Sequence, residues 1–290
     1  MKKLFVLYSV VLSLTLPGVA LASIREPISK RACQLGKPKC VELVIKEMER
    51  RYKPLARRCD HNALFALGYL RTTEVFLETL DDVDYSDRAT VIREDALFAE
   101  YYFRAFDAYH LGANNVPPAW KEAFDAAQSR AVTSSGDLFL GFNAHIQRDL
   151  PFVLYELYKR GDPVSYENHN RVNEFLRKVN FLEELAQKFD PTIDDEDVPG
   201  EEDDIQRFQL IASWRELAYR NFERLRDAPS EQARAQVAAE IETYALVSAQ
   251  LLRQQLSYPA GTDSQERDAY CRENAKAAKF NAEKMPSIYY

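Results

Sequence analysis

Apolar positions recur at three- and four-residue spacings along almost the whole chain, the period of an amphipathic helix, and no run alternates convincingly with period two. The spacing predicts a short helix over 41–52. Asp60 is placed to cap a second one, which runs to Leu80 with Leu64, Leu67, Phe76 and Leu80 turned inward. A third, over 88–111, is dense in aromatics: Phe98, Tyr101, Tyr102, Phe103, Phe106 and Tyr109. Pro117 and Pro118 suit the first turn of a fourth that ends near Val132. A fifth spans 137–160, with a kink or break expected at Pro151, which lacks a backbone N–H. Four more are expected over 165–189, 205–226, 231–256 and 264–280. The expected fold is all-α, a single irregular bundle of about nine helices around one core.

Composition supports this reading. Only nine of the 290 residues are Gly, too few for a fold built from tight turns. Hydrophobic residues make up 46% and charged residues 29%, the balance of a chain that folds rather than stays disordered. A net charge of −7 disfavours nucleic-acid backbones and anionic membrane faces as partners.

The N-terminus changes the picture. Lys2 and Lys3 precede a mostly apolar stretch to Leu16, and Ala20-Leu21-Ala22 is a small-x-small cleavage site. This predicts a signal peptide over 1–22 and a periplasmic or secreted protein over 23–290, with no integral membrane segment after cleavage. In an oxidising compartment the even set Cys33, Cys40, Cys59 and Cys271 reads as two disulfides. The Leu35-Gly36-Lys37-Pro38 turn favours Cys33–Cys40, leaving Cys59–Cys271 to tie the N-terminal region to the last helix. A loop that long contributes roughly 4–5 kcal/mol in the chain-entropy model. The stretch 194–204 holds eight acids in eleven residues and reads as a solvated connector rather than a calcium loop.

Most chemical content lies in 141–151. His145 and Asp149 are four apart, so on a helix they share a face with Leu138, Phe142 and Phe152. Two polar side chains on an apolar face need partners. Either they form a site, with His145 as general base or metal ligand and Asp149 as second ligand or orienter of the imidazole, or they form a structural hydrogen bond at the kink. His169, with Asn173 four residues on, is a candidate third metal ligand. Trp214-Arg215 lies on another inward stripe, from which Arg215 can pair with a buried carboxylate such as Asp149. Asp107 and His110 have the spacing of half a di-iron motif whose other half is missing, and His110 reads as a helix-end residue. His61 is expected at the surface.

The segment Gly141-x-Asn143-Ala144-His145-Ile146-x-x-Asp149-Leu150-Pro151 resembles the mark of a bacterial family of all-helical domains of unknown function. Phe98-Ala99, Tyr101, Ala105, Pro118-Ala119-Trp120, Phe124, Val172-Asn173 and Trp214-Arg215 are similar to its other signposts, so the resemblance covers roughly 65–225. It implies an all-helical fold and no particular reaction or ligand. The signal peptide, the four Cys and the C-terminal helices depart from it.

Two functions follow. The first is a hydrolase-type enzyme in which His145 activates water, directly or through a divalent metal held with Asp149 and His169. Asn143, Asn173 and Trp214 would then contact the ligand and Arg215 would hold an anionic group. The second is a non-catalytic protein that binds a small molecule or partner, with Asn143, His145 and Asp149 as an internal network. Convergence of His145, Asp149 and His169 on an open cavity favours the first; a closed cluster favours the second.

Overall fold

The computed structural model describes residues 27–193 and 202–275, with backbone only for 202–205. The proposed signal peptide and most of the acidic connector lie outside the described residues. The chain is all-helical there, with no β-strand among the described residues; an isolated bridge joins Val132 to Ser257. After a 3-10 turn at Pro27–Ser29 come α1 (Arg31–Gln34), α2 (Lys39–Arg58), α3 (Ala63–Glu78), α4 (Arg88–His110) and α5 (Pro118–Ser129). Next are α6 (Ser134–Phe142), a π-helix (Asn143–Asp149) and α7 (Leu150–Lys159). The chain continues through α8 (Tyr166–Leu176), α9 (Leu182–Lys188), α10 (Glu202–Asp227), α11 (Glu231–Gln255) and α12 (Gln265–Asn274). Among the described residues no helix is long and apolar enough to cross a membrane.

Local chemistry sets the helix starts. Side chains of Asp87, Thr133, Ser165 and Ser230 accept from backbone N–H groups in the first turns of α4, α6, α8 and α11, each satisfying a donor the helix cannot. α3 is apolar on nearly every face and is buried from Ala63 to Phe76 with few interruptions, the mark of a central helix. Cys33 pairs with Cys40 and Cys59 with Cys271, as the spacing favours, so α12 is bonded covalently to the end of α2.

Three expectations need correction. The first helix is longer than its apolar stretch, since α2 continues through Pro54 to Arg58. The helix expected over 165–189 is two, parted at 177–181, where Val179 and Asn180 are poor helix formers. And the helix around Pro151 does not break. A prolyl ring crowds the carbonyl four residues earlier, here Gln147. The backbone relieves this by widening into the π-helix just upstream, so α6, the π-helix and α7 run on as one helical stretch.

Candidate functional site

The π-helix carries the motif, and α4, α5, α10 and α11 all pack on it. Gly141, just before it, faces Phe65: a Cβ there would lie 2.3 Å from the ring, so only Gly lets α3 and α6 approach this closely. Asp149 is fully buried and accepts three hydrogen bonds: from Trp120 Nε1 on α5 at 2.8 Å, from His145 Nδ1 at 3.1 Å and from Arg148 Nη1 at 2.8 Å. Arg148 also reaches Glu242 on α11 at 2.6 Å. Asn143 Nδ2 donates to the Ala245 carbonyl at 2.8 Å, and Asn143 Oδ1 accepts from Gln147 Nε2 at 2.7 Å. The motif's polar side chains thus tie the π-helix to α5 and α11.

His145 is the exception. Its ring stacks on Phe98 at 3.5 Å with 5° between planes and lies 4.5 Å from the Tyr69 ring. Burial holds its pKa below the usual imidazole range, against the opposing pull of Asp149. The imidazole is therefore neutral at pH 7, with Nδ1–H donating to Asp149 and Nε2 left as an acceptor. Nε2 has no hydrogen-bond partner and almost no accessible surface.

Beside His145 opens a cavity of about 690 Å³. Its walls are mostly apolar, from Phe65, Leu138, Phe142, Val179, Phe181 and Ile211 among others, and it also meets Tyr69, Arg177, Asp190 and Arg215. The turn that parts α8 from α9 supplies one wall, and α10 supplies another through Phe208, Ile211 and Arg215, which share a face at helical spacing. Arg215 is buried. Its Nε donates to Asn173 Oδ1 at 3.0 Å and its Nη2 to the His169 carbonyl at 2.8 Å, while His169 Nε2 donates to the Arg215 carbonyl at 3.0 Å. Burial lowers the Arg215 pKa to about 10, with Glu94 opposing, so it stays charged at neutral pH. Burial and the Arg215 charge hold His169 well below the usual range, so it is neutral.

On α4, one turn before Phe98, stand Glu94 and Asp95. Burial pushes Glu94 up to about 7, with Arg215 opposing, and pushes Asp95 up to about 8, with Glu94 adding to the rise. Asp95 Oδ2 and the Tyr69 hydroxyl lack hydrogen-bond partners.

The structure sorts the candidates into two groups. Asn143, His145 and Asp149 stand together, and so do His169, Asn173 and Arg215. Of these six, His145 and Arg215 line the cavity. Trp214 is half-buried with its ring edge on Phe139 and does not line it. Arg215 does not pair with Asp149, because Arg148 and Trp120 already do. Among the described residues no three His, Cys, Asp or Glu side chains are placed to hold a metal ion, so His145, Asp149 and His169 do not form the three-ligand set. Asp107 instead takes the Arg51 guanidinium, and His110 Nδ1 donates to the Phe106 carbonyl at the end of α4.

His61 also needs correction. It is buried, with Nε2 3.0 Å from Asp268 Oδ1 on α12 and Nδ1 3.4 Å from Asp137, because α12 folds over it. The sequence reading also missed Trp120 and Arg148 as partners of Asp149, and Tyr69, Glu94 and Asp95 near the cavity. The signal for the last two was two adjacent acids opening the aromatic stripe of α4, where a purely structural helix would carry apolar residues.

In comparisons with known proteins, no curated protein and no solved structure matched the chain. A family model does match, over residues 41–255, well over half of the chain and wider on both sides than the resemblance read from the motif and its flanking signposts. The chain belongs to a family of unknown function (DUF5995).

Proposed function

We propose that this is an exported ligand-binding protein whose cavity takes a largely apolar small molecule, and that the Asn143–His145–Asp149 group is the network that shapes one wall of it. One observation carries this reading: a 690 Å³ space with mainly apolar walls lies beside a buried, almost fully partnered polar cluster. Such a volume is in the range of small-molecule sites, about 300–1,000 Å³. Two disulfides and the leader-like N-terminus support a place outside the cytoplasm.

Titration with the neutral apolar dye Nile red tests the reading. Saturable binding is expected in the wild type, and Val179→Trp with Ile211→Trp, which crowd the walls formed by the turn after α8 and by α10, is expected to weaken it at least about tenfold. No saturable binding, or binding that the double variant leaves unchanged, would overturn it.

A hydrolytic use of His145 has one observation in its favour, the neutral imidazole oriented by Asp149 with an unpartnered Nε2. Against it, Nε2 is sealed by Phe98 and its neighbours, while Asn173 and Trp214 stand off the cavity wall. Turnover of a short-chain nitrophenyl ester at the same background rate in wild type and His145→Ala is expected. Turnover that depends on His145 would replace the binding reading with the enzymatic one.

A further inference from the structure

Of the three arginines that line the cavity, Arg177, Arg207 and Arg215, the last is buried. Arg215 projects from the stripe that includes Phe208 and Ile211, and it is only 5% exposed. Two of its three guanidinium nitrogens are committed, Nε to the Asn173 side chain and Nη2 to the His169 carbonyl. Both partners are neutral oxygens. Among the described residues Arg215 makes no ion pair, and Glu94 acts on it only through space. Nη1 has no hydrogen bond there, yet it is not among the sealed, unsatisfied atoms of the interior, so it keeps accessible surface on a residue that lines the cavity. Asp190, an acid that does line the cavity, is already engaged: it accepts from Ser134 Oγ, from Thr192 N at 2.9 Å and from Thr192 Oγ1 at 2.7 Å.

A charged group taken out of water without a counter-ion is costly, and such a position is stabilised by whatever anion fills it. The apolar walls set the rest of the ligand. A single uncommitted nitrogen suits one oxygen of a monoanion better than a dianionic phosphate, which calls for several donors. A second cation, Arg177, stands exposed at the rim with its guanidinium 4.7 Å from the Phe208 ring, where it can draw an anion toward the opening.

We infer that the ligand is an amphipathic monocarboxylate, its alkyl body against Phe65, Leu138, Phe142 and Phe181 and its carboxylate on Arg215 Nη1. This inference rests on the cavity reading above and narrows it to one class of ligand.

The test displaces Nile red from the full-length mature protein with three ligands of one chain length: dodecanoate, its methyl ester and 1-dodecanol. Dodecanoate is expected to bind about tenfold or more tightly than either neutral analogue, the worth of one charge-assisted hydrogen bond. Arg215→Met is expected to erase that preference while leaving dodecanol affinity within about twofold. Equal affinity for all three would overturn the monocarboxylate and leave the cavity reading standing. Binding of none, dye included, would overturn the cavity reading itself. A preference that survives Arg215→Met would overturn the assignment to that residue. Should Arg215→Met fail to fold, the carboxyl resonance of 13C-labelled dodecanoate bound to wild type decides. Titration below the free acid's value is expected beside a guanidinium, and titration above it would overturn the inference.

Discussion

Two polar groups border the same cavity, and they differ in whether their buried charge meets an opposite one. Around Asp149 three donors meet one carboxylate, and Asn143 with Gln147 closes the ladder to α11. Around Arg215 the donors meet only neutral oxygens and one guanidinium nitrogen is left over, whereas in the Asp149 group the atoms without partners include the neutral His145 Nε2 and Gln147 Oε1. A cluster whose buried charges are paired holds elements in place and has little to offer an ionic ligand. A buried charge met only by neutral groups costs the fold stability unless an opposite charge fills the place. The motif most conspicuous in the sequence is on this account mainly structural, and the cavity is built largely from residues scattered over α3, α6, α10 and the turn between α8 and α9.

The largest effect expected from this contrast is at Asp149. Asp149→Ala leaves Trp120, His145 and Arg148 without their shared acceptor, and breaking a buried charged pair costs about 3–5 kcal/mol. In a protein of this size that is a Tm drop of roughly 10 °C, read by calorimetry or circular dichroism. Gly141→Ala comes next. The added methyl group meets Phe65 near its Cβ, not at a flexible tip, so α3 or α6 must shift, at about 1–3 kcal/mol by urea denaturation. His145→Phe keeps the stack on Phe98 and loses one hydrogen bond, so a cost of about 1 kcal/mol is expected by the same measurement.

A further effect, at Glu94 and Asp95 on α4, has the opposite sign. A carboxyl whose folded pKa is raised holds its proton in the folded state to higher pH than in the unfolded chain. The penalty on folding is absent in acid, grows as pH climbs past the ordinary carboxylate range, and is complete above about 8 for Glu94 and Asp95. Glu94→Gln with Asp95→Asn should therefore stabilise the protein at pH 8.5 and lose that gain as pH falls toward ~4. A double variant less stable than wild type at pH 8.5 would mean that these acids are partnered in their ionised form.

Helix type was legible because the apolar period runs unbroken along the chain, and the local disulfide because a Gly-Pro turn brackets it. The rest depended on long-range packing. His61 looks exposed until α12 arrives from some two hundred residues later and buries it between Asp137 and Asp268. The His145–Asp149 pair was readable from its spacing, but the further partners of Asp149 were not. Trp120 comes from another helix, and Arg148 is a sequence neighbour that would ordinarily point elsewhere and reaches both Asp149 and Glu242 only by its length. The gap between α8 and α9, which forms one cavity wall, has no Pro or Gly to announce it. Nothing in a one-dimensional pattern reports an empty volume.

The central claim, that the motif serves the fold and the cavity serves the function, is tested most directly by one paired measurement: Nile red affinity and Tm on Asp149→Asn and on Val179→Trp with Ile211→Trp. The first variant is expected to melt several degrees lower yet bind the dye within about threefold of wild type at a temperature where it is folded, while the second keeps its Tm within about 4 °C and loses at least about tenfold in affinity. The reverse pattern, a stable Asp149→Asn that no longer binds and a cavity-crowded protein that still does, would contradict it.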